Sequence, residues 1–124
     1  MELNYDIAKP IYQQIIDEIK KSVIRGELTP GSQIPSQREL AVSAHVNPNT
    51  VQRAYREMEN MKLVETLRGQ GTFICQREGM IEELRSEMAM EILENFLNEM
   101  RSLGQTDESI MEMLQKHIQQ KVGR

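Results

Sequence analysis

Apolar side chains recur every three or four positions near the start of the chain, a spacing that predicts an amphipathic helix of about four turns. Pro10 suits the first helical position, because its missing N–H would have no partner there. Gly26 suits the end of the helix, because glycine readily adopts positive φ. The apolar side of this helix consists of Tyr12, Ile15, Ile16, Ile19 and Val23.

Two shorter helical patterns follow with only a brief turn between them. Ser36 and Glu39 have the spacing of a capping box, which predicts a helix that ends near His45. Asn47 and Pro48 then suit the cap and the first position of a second helix. Its apolar side consists of Val51, Ala54, Tyr55 and Met58. Two helices joined by so short a turn indicate a helix-turn-helix.

A short β-hairpin is predicted directly after the second helix. Residues 63–67 and 72–75 are rich in strand-forming side chains, and residues 68–71 between them form a basic glycine turn. Residues 32–34 are a candidate for a further short strand. A hairpin in this position is the wing of a winged helix-turn-helix, so the predicted fold is mainly α with a small β-hairpin wing.

The pattern changes at residue 79, where a long apolar stripe begins that runs without a break towards Gly104. Thr106 or Asp107 then caps a second helix. An antiparallel pair of these helices has more apolar surface than each can cover on the other, which indicates a dimerisation hairpin. The predicted dimerisation residues are Ile81, Leu84, Met88, Ile92, Phe96, Met100, Ile110, Met113, Leu114 and Ile118. The methionine-rich tail also leaves open a ligand pocket, or simple packing onto the preceding domain.

The charge distribution supports two domains, residues 1–78 and 79–124. The first contains ten basic and ten acidic residues, whereas the second contains five basic and nine acidic ones. The acidity therefore lies in the tail and leaves the helix-turn-helix free to approach a polyanion. The single Cys75 cannot form an internal disulfide, and the sequence has neither a secretion signal nor a membrane-spanning run. We therefore expect a cytoplasmic protein without a membrane partner.

The polar face of the second helix supplies candidate contacts to double-stranded DNA. Asn and Gln can pair with adenine edges in the major groove, and Arg can bind guanine or a phosphate. Arg38, in the first turn of the preceding helix, could reach a phosphate. The wing could approach a minor groove, because glycine permits close backbone contact. The candidates on the second helix and the wing are Asn49, Gln52, Arg53, Arg56, Arg68, Gly69, Gln70 and Gly71.

Catalytic and metal-binding patterns are weak, so we expect neither an enzyme nor a cofactor or metal site. His45 and His117 lack metal-ligand spacing, and Cys75 has no partner cysteine. Cys75 is better explained as a small packed side chain than as a nucleophile. A protein-interaction adaptor that uses a winged helix without touching DNA is the alternative to a DNA-binding regulator.

Six short motifs together resemble the GntR family of bacterial transcription regulators, and the short two-helix tail is similar to the YtrA-type branch. The motifs are PIYQQI (10–15), GELTPG (26–31), IPSQREL (34–40), VNPNTV (46–51), AY (54–55) and RGQGTF (68–73). The resemblance implies a winged helix-turn-helix that binds operator DNA as a homodimer and, for this branch, a transporter operon as its target. We expect a repressor on an inverted-repeat operator, although the sequence does not distinguish a repressor from an activator. It leaves any small-molecule effector unidentified.

The resemblance also implies DNA contacts from three places in this sequence. Arg38 matches an arginine of the family's second helix, in the motif that includes Ser36. Asn49 and Thr50 match the first turn of the recognition helix, and Arg68 with Gly69 matches the tip of the wing. Pro48 and Gln52 stand where several relatives carry arginine, so no base preference follows from the resemblance.

Overall fold

The computed structural model describes residues 9–122 and is mainly helical, with one small sheet. The elements in chain order are α1 (Ile11–Ile24), β1 (Gln33–Ile34), α2 (Gln37–Ser43), α3 (Pro48–Asn60), β2 (Val64–Leu67), β3 (Gly71–Ile74), α4 (Met80–Ser102) and α5 (Asp107–Val122). This order confirms the predicted winged helix-turn-helix followed by two helices. The outer ends of both predicted domains, residues 1–8 and 123–124, lie outside the described part.

Helix α1 forms where the apolar periodicity predicts it. Pro10 directly precedes the helix, and Gly26 follows it with a φ of 80°. The apolar side chains on one face are buried in the core, namely Ile15, Ile16, Ile19 and Val23. This buried stripe holds α1 against α3, so the recognition helix has a rigid support behind it.

The turn between α2 and α3 is tight because its backbone reverses over few residues. Helix α2 ends at Ser43, two residues before the predicted end near His45. His45 has a φ of 55°, a left-handed conformation that stops the helix. The Val46 N–H then donates to the Ala41 carbonyl at 3.0 Å, which closes the turn before Pro48 opens α3.

The predicted hairpin is part of a three-stranded antiparallel sheet. Strands β2 and β3 pair with Val64 opposite Ile74 and Leu67 opposite Gly71. Strand β1 pairs with the other side of β3, with Gln33 opposite Phe73. The strand order β1-β3-β2 puts the last strand in the centre. The wing is therefore attached to the chain that precedes α2 as well as to α3.

The core of the winged domain also contains the start of α4. Met80 and Leu84 are buried in the same apolar cluster as α1, α2, α3 and the sheet, and Leu84 is only 4% exposed. The first compact unit accordingly extends to Leu84, six residues beyond the boundary predicted from the pattern change. The long tail helix begins as a core element of the first unit.

The segment between β3 and α4 is fixed by hydrogen bonds to the turn after α3. The Cys75 N–H donates to the Leu63 carbonyl at 2.9 Å. The Arg77 guanidinium donates to the Lys62 carbonyl at 2.9 Å and forms an ion pair with Glu83 at 3.6 Å. Cys75 is half-buried against the core, and burial raises the pKa of its thiol.

The second compact unit contains the rest of α4 and helix α5. Thr106 caps α5, since its hydroxyl accepts from the Ser109 N–H at 3.1 Å while its own N–H donates to the Ser109 hydroxyl at 3.0 Å. Gly104 ends α4 with a φ of 82°, as predicted. Among residues 9–122, no helix is sufficiently long and apolar to span a lipid bilayer.

Candidate nucleic-acid interface

Helix α2 begins with the predicted capping box. The Glu39 N–H donates to the Ser36 hydroxyl at 3.1 Å, and the Ser36 N–H donates to the Glu39 carboxylate at 3.0 Å. Hydrogen bonding to the Ser36 backbone, and secondly to its side chain, holds the pKa of Glu39 below its ordinary value. The reciprocal bonds fix the start of α2, so Gln37 and Arg38 are held in its first turn.

Helix α3 begins with the predicted cap and proline. The Asn47 side chain accepts a hydrogen bond from the Asn49 N–H at 2.8 Å, and Pro48 occupies the first turn. This arrangement places Asn49 and Thr50 at the very start of the helix. The Asn49 side chain is exposed and Thr50 is partly exposed. Both are therefore available at the end of α3 that reads bases in a helix-turn-helix.

The buried face of α3 determines which side chains face outwards. Val51, Ala54, Tyr55 and Met58 are all fully buried. The Tyr55 hydroxyl donates to the Pro35 carbonyl, and burial raises the pKa of this phenol. The hydroxyl thus remains a donor and ties α3 to the segment that leads into α2. The opposite face of α3 is left for polar side chains.

Among the predicted contact arginines, Arg53 is the one whose side chain contacts other described residues. Its guanidinium lies over the ring of Tyr12 on α1, 3.8 Å from the ring centroid. Its Nε is also 3.4 Å from a carboxylate oxygen of Glu57, one turn further along α3. Arg53 therefore lies against α1. The helical spacing had placed it on the polar face of α3 with the other predicted contacts.

Three other predicted arginines are exposed and unpaired. Across residues 9–122, no carboxylate forms an ion pair with Arg38, Arg56 or Arg68. They come from three different elements, namely α2, α3 and the turn of the wing. Unpaired arginines on one domain are the groups that phosphate oxygens or guanine edges would bind.

Arg38 lies where three open grooves meet. The first groove runs between α2 and the wing, the second between α2 and α3, and the third along α2 itself. They contain the predicted residues Ser36, Arg38, Pro48, Asn49, Gln52, Gly69, Gln70 and Gly71. The structure thus brings together eight of the twelve predicted DNA contacts around one arginine. Thr50, Arg53, Arg56 and Arg68 lie outside these grooves.

The tip of the wing is a tight turn between β2 and β3. The Gln70 N–H donates to the Leu67 carbonyl at 2.9 Å, and Gly69 has a φ of 78°. A turn with positive φ at its third residue requires glycine or asparagine there. Arg68 occupies the second position of this turn and is exposed. Gly69 therefore permits the tight turn that places Arg68 at the tip of the wing.

The grooves also contain residues absent from the sequence-based set, among them Gln33, Gln37 and Val42. Gln37 neighbours Arg38 in the capped first turn, so its position could have been recognised from the capping box. Val42 lines two of the grooves and is 70% exposed. Gln33 reaches the groove only through the pairing of β1 with β3, which no local pattern indicates.

The predicted dimerisation residues differ in exposure within the described chain. Leu84 and Ile110 are buried, and the latter is only 2% exposed. Ile92, Met113 and Ile118 are exposed. The partly buried members are Ile81, Met88, Phe96, Met100 and Leu114. In the described part of the tail, the large exposed apolar side chains outside the predicted set are Met90, Leu93, Leu103 and Met111.

Comparisons of the sequence with known proteins agree with this architecture. A family model described as "Bacterial regulatory proteins, gntR family" matches residues 11–74, from α1 to the end of β3. The HTH-type transcriptional regulator YhcF of Bacillus subtilis (strain 168) is 46% identical over 112 residues, covering 90% of this chain and 93% of YhcF. The transcriptional repressor YtrA of the same organism is 48% identical over 69 residues, covering 56% of this chain and 53% of YtrA.

Solved structures extend the likeness to the fold. A GntR family transcriptional regulator from Listeria monocytogenes has a TM-score of 0.79 and 38% identity, covering 90% of this chain and 98% of that one. The DNA-binding domain of AraR in complex with operator ORR3 has a TM-score of 0.53 and 27% identity, covering 59% of this chain and 88% of that one. The resemblance drawn from the six motifs is confirmed: the chain belongs to the GntR family of bacterial transcription regulators.

Proposed function

We propose that this protein is a cytoplasmic repressor that binds an inverted-repeat operator as a homodimer. The observation that carries the proposal is the set of exposed, unpaired arginines Arg38, Arg56 and Arg68 around the helix-turn-helix and the wing. The repressor role is supported by the name of its relative YtrA, and operator binding by the AraR complex. A transporter operon as the target follows only from the resemblance to the YtrA-type branch.

Within this proposal the interface divides into positioning and reading groups. Arg38 and Arg68 bind phosphates on either side of the groove that α3 enters, which fixes the orientation of the domain without reading sequence. Asn49 and Gln52 reach base edges, where their amides can pair with adenine. Arg56, on the outer face of α3, binds a guanine or a further phosphate. The capping bonds of Asn47 keep this reading end in place.

The homodimer is supported by the exposed apolar side chains of α4 and α5. Ile92 and Ile118 are 63% and 56% exposed, and several methionines and leucines accompany them. Apolar side chains grouped in this way commonly mark a protein–protein contact. A second copy related by a two-fold axis would cover the same surface on both chains. The two recognition helices would then read half-sites about 34 Å apart.

The experiment that tests the DNA contacts is a titration of operator fragments, first selected from random DNA, at several salt concentrations. We expect Arg38→Ala and Arg68→Ala each to weaken binding by about 1.5–3 kcal/mol, the range for hydrogen bonds to charged groups, and to reduce the slope of log K against log salt by about one. Arg25→Ala is the control, because Arg25 is exposed directly after α1 and paired with Glu18 and Glu27.

Wild-type binding that does not weaken as salt rises would contradict the phosphate contacts, and the absence of DNA binding would favour the adaptor alternative. Unchanged affinity in both Arg38→Ala and Arg68→Ala would contradict the placement of the interface. Loss of affinity in Arg25→Ala as large as theirs would indicate a general charge effect.

A further inference from the structure

Gln33 occupies an edge strand beside the turn of the wing. It lies on β1 opposite Phe73 of β3, and Gly71 comes two residues before Phe73 on the same strand. Side chains two residues apart on a strand share one face, so Gln33 and position 71 are diagonal neighbours on the sheet. Gln33 therefore lies next to the start of β3, where the turn of the wing ends.

Gly71 leaves a space that the Gln33 side chain fills. A Cβ atom at position 71 would collide with the Gln33 side-chain amide. Gly71 also has a φ of 127°, a conformation that other residues rarely adopt. The amide of Gln33 thus lies directly against the backbone of β3 at Gly71, where the wing turn ends.

The same amide forms a hydrogen bond to the turn. Gln33 Nε2 donates to the Gln70 carbonyl at 3.2 Å. Gln70 in turn donates its N–H to Leu67, the bond that closes the wing tip around Arg68 and Gly69. One neutral side chain from outside the hairpin therefore contacts Gln70 and Gly71, the last residue of the wing turn and the first residue of β3.

We propose that Gln33 is a positioning residue that holds the wing turn so that Arg68 is presented to DNA. The inference rests on the proposed operator binding, but Gln33 itself need not touch the DNA. Without the amide, residues 68–70 keep only the local bonds of an exposed turn. In that case DNA binding itself must restrict the motion of Arg68, at a cost in conformational entropy. In wild type the folded wing has already restricted this motion before DNA binds.

The first test uses the free protein and needs no DNA. Hydrogen exchange of the Gln70 amide is measured in wild type, Gln33→Ala and Gln37→Ala. We expect Gln33→Ala to speed exchange by up to about tenfold, the range for one net hydrogen bond. Gln37→Ala is the matched control, because Gln37 lines the same groove without a hydrogen bond to the turn. Unchanged exchange in Gln33→Ala overturns the proposal.

The second test measures operator affinity against salt. A neutral side chain that contacts DNA directly leaves the salt slope unchanged, whereas one that acts through Arg68 reduces it. We expect Gln33→Ala to weaken binding several-fold and to lower the slope. We also expect it to have little further effect in an Arg68→Ala background. Additive effects with an unchanged slope overturn the proposal and assign a direct contact.

The two tests separate this inference from the proposed function. If wild type fails to bind DNA, the proposed function fails while the exchange result still decides whether Gln33 holds the turn. Thermal unfolding of Gln33→Ala verifies that the fold is intact. Should this variant unfold, Gln33→Met is measured in the same two ways and judged by the same outcomes. Methionine retains most of the side-chain volume beside Gly71 but lacks the hydrogen-bond donor.

Discussion

At the scale of single residues, two arginines on one helix have different surroundings. Arg53 is stacked on Tyr12 and paired with Glu57, whereas Arg56, less than one turn further along, is exposed and forms no ion pair with any described residue. A cation–π contact at an exposed site stabilises a fold by about 0.5–1 kcal/mol. Arg53 therefore contributes to the attachment of α3 to α1, and Arg56 is the better candidate for DNA.

We expect Arg53→Ala to lower the free energy of unfolding by about 0.5–1 kcal/mol, with a smaller loss of operator affinity than Arg56→Ala. Arg56→Ala should leave stability nearly unchanged and weaken binding. Urea unfolding and a gel-shift titration measure the two quantities. Tyr12→Phe is the control, because it keeps the ring under the guanidinium. Equal stability of Arg53→Ala and wild type, together with a larger binding loss, would contradict this division.

The capping carboxylate predicts a pH dependence of stability. The pKa of Glu39 is lowered in the folded protein, so its contribution is complete above its ordinary pKa of 4.5 and is lost as pH falls through the folded value. Glu39→Gln can still accept the bond from Ser36 but lacks the negative charge, so it should be somewhat less stable than wild type at neutral pH. We expect it to show a smaller decrease in melting temperature between about pH 5 and pH 3. Glu65→Gln serves as the control, and an identical pH profile for wild type and Glu39→Gln would contradict the role.

At the scale of elements, the tail helices differ from the helices of the winged domain in how far their apolar side chains are covered. Most apolar side chains of α1 and α3 are covered within the chain, whereas α4 and α5 expose six large ones beyond Leu84. Helix formation alone does not require this, since polar residues at the same positions would support a helix equally well. The apolar surface on α4 is therefore the place to test self-association.

We expect Ile92→Glu to raise the dimer dissociation constant by at least tenfold, because it puts a charge into an apolar contact. Sedimentation velocity over a concentration series measures this constant. Asn98→Glu is the control, since at about 100° per residue it lies on the other side of α4 and adds the same charge. Identical sedimentation of wild type and Ile92→Glu would refute the predicted surface.

At the scale of the whole molecule, the boundary between the two units follows burial and not the change in sequence pattern. Met80 and Leu84 belong to the core of the winged domain although they begin the long apolar stripe of the tail. A fragment cut at residue 78 therefore lacks two core side chains. A fragment that ends at residue 88 retains them.

We expect the fragment 1–88 to be more stable than 1–78 by at least 2 kcal/mol, because fully burying one Leu or Met contributes about 1.5–3 kcal/mol. The longer fragment should also be monomeric and bind operator DNA weakly. Urea unfolding gives the stability and sedimentation gives the association state. Equal stability of the two fragments would contradict the placement of Met80 and Leu84 in the core.

Features encoded by neighbouring residues were predictable from the sequence. The capping box of Ser36, the Asn47–Pro48 start of α3 and the ends at Gly26 and Gly104 depend on backbone chemistry within a few positions. The partners of Arg53 and Gln33 could not be predicted, because they come from elements distant in sequence. Leu84 looked like a tail residue for the same reason: the helical period shows which side of a helix is apolar but not what covers it.

The shared space of Gln33 and Gly71 has a consequence for the evolution of this protein. A side chain at position 71 would strain the backbone there and would displace the Gln33 amide from the turn. Without the contact to position 71 there is less reason to retain glutamine at position 33. Among GntR relatives, glutamine at the position of Gln33 should therefore occur together with glycine at the position of Gly71, and should be rarer where that glycine is replaced.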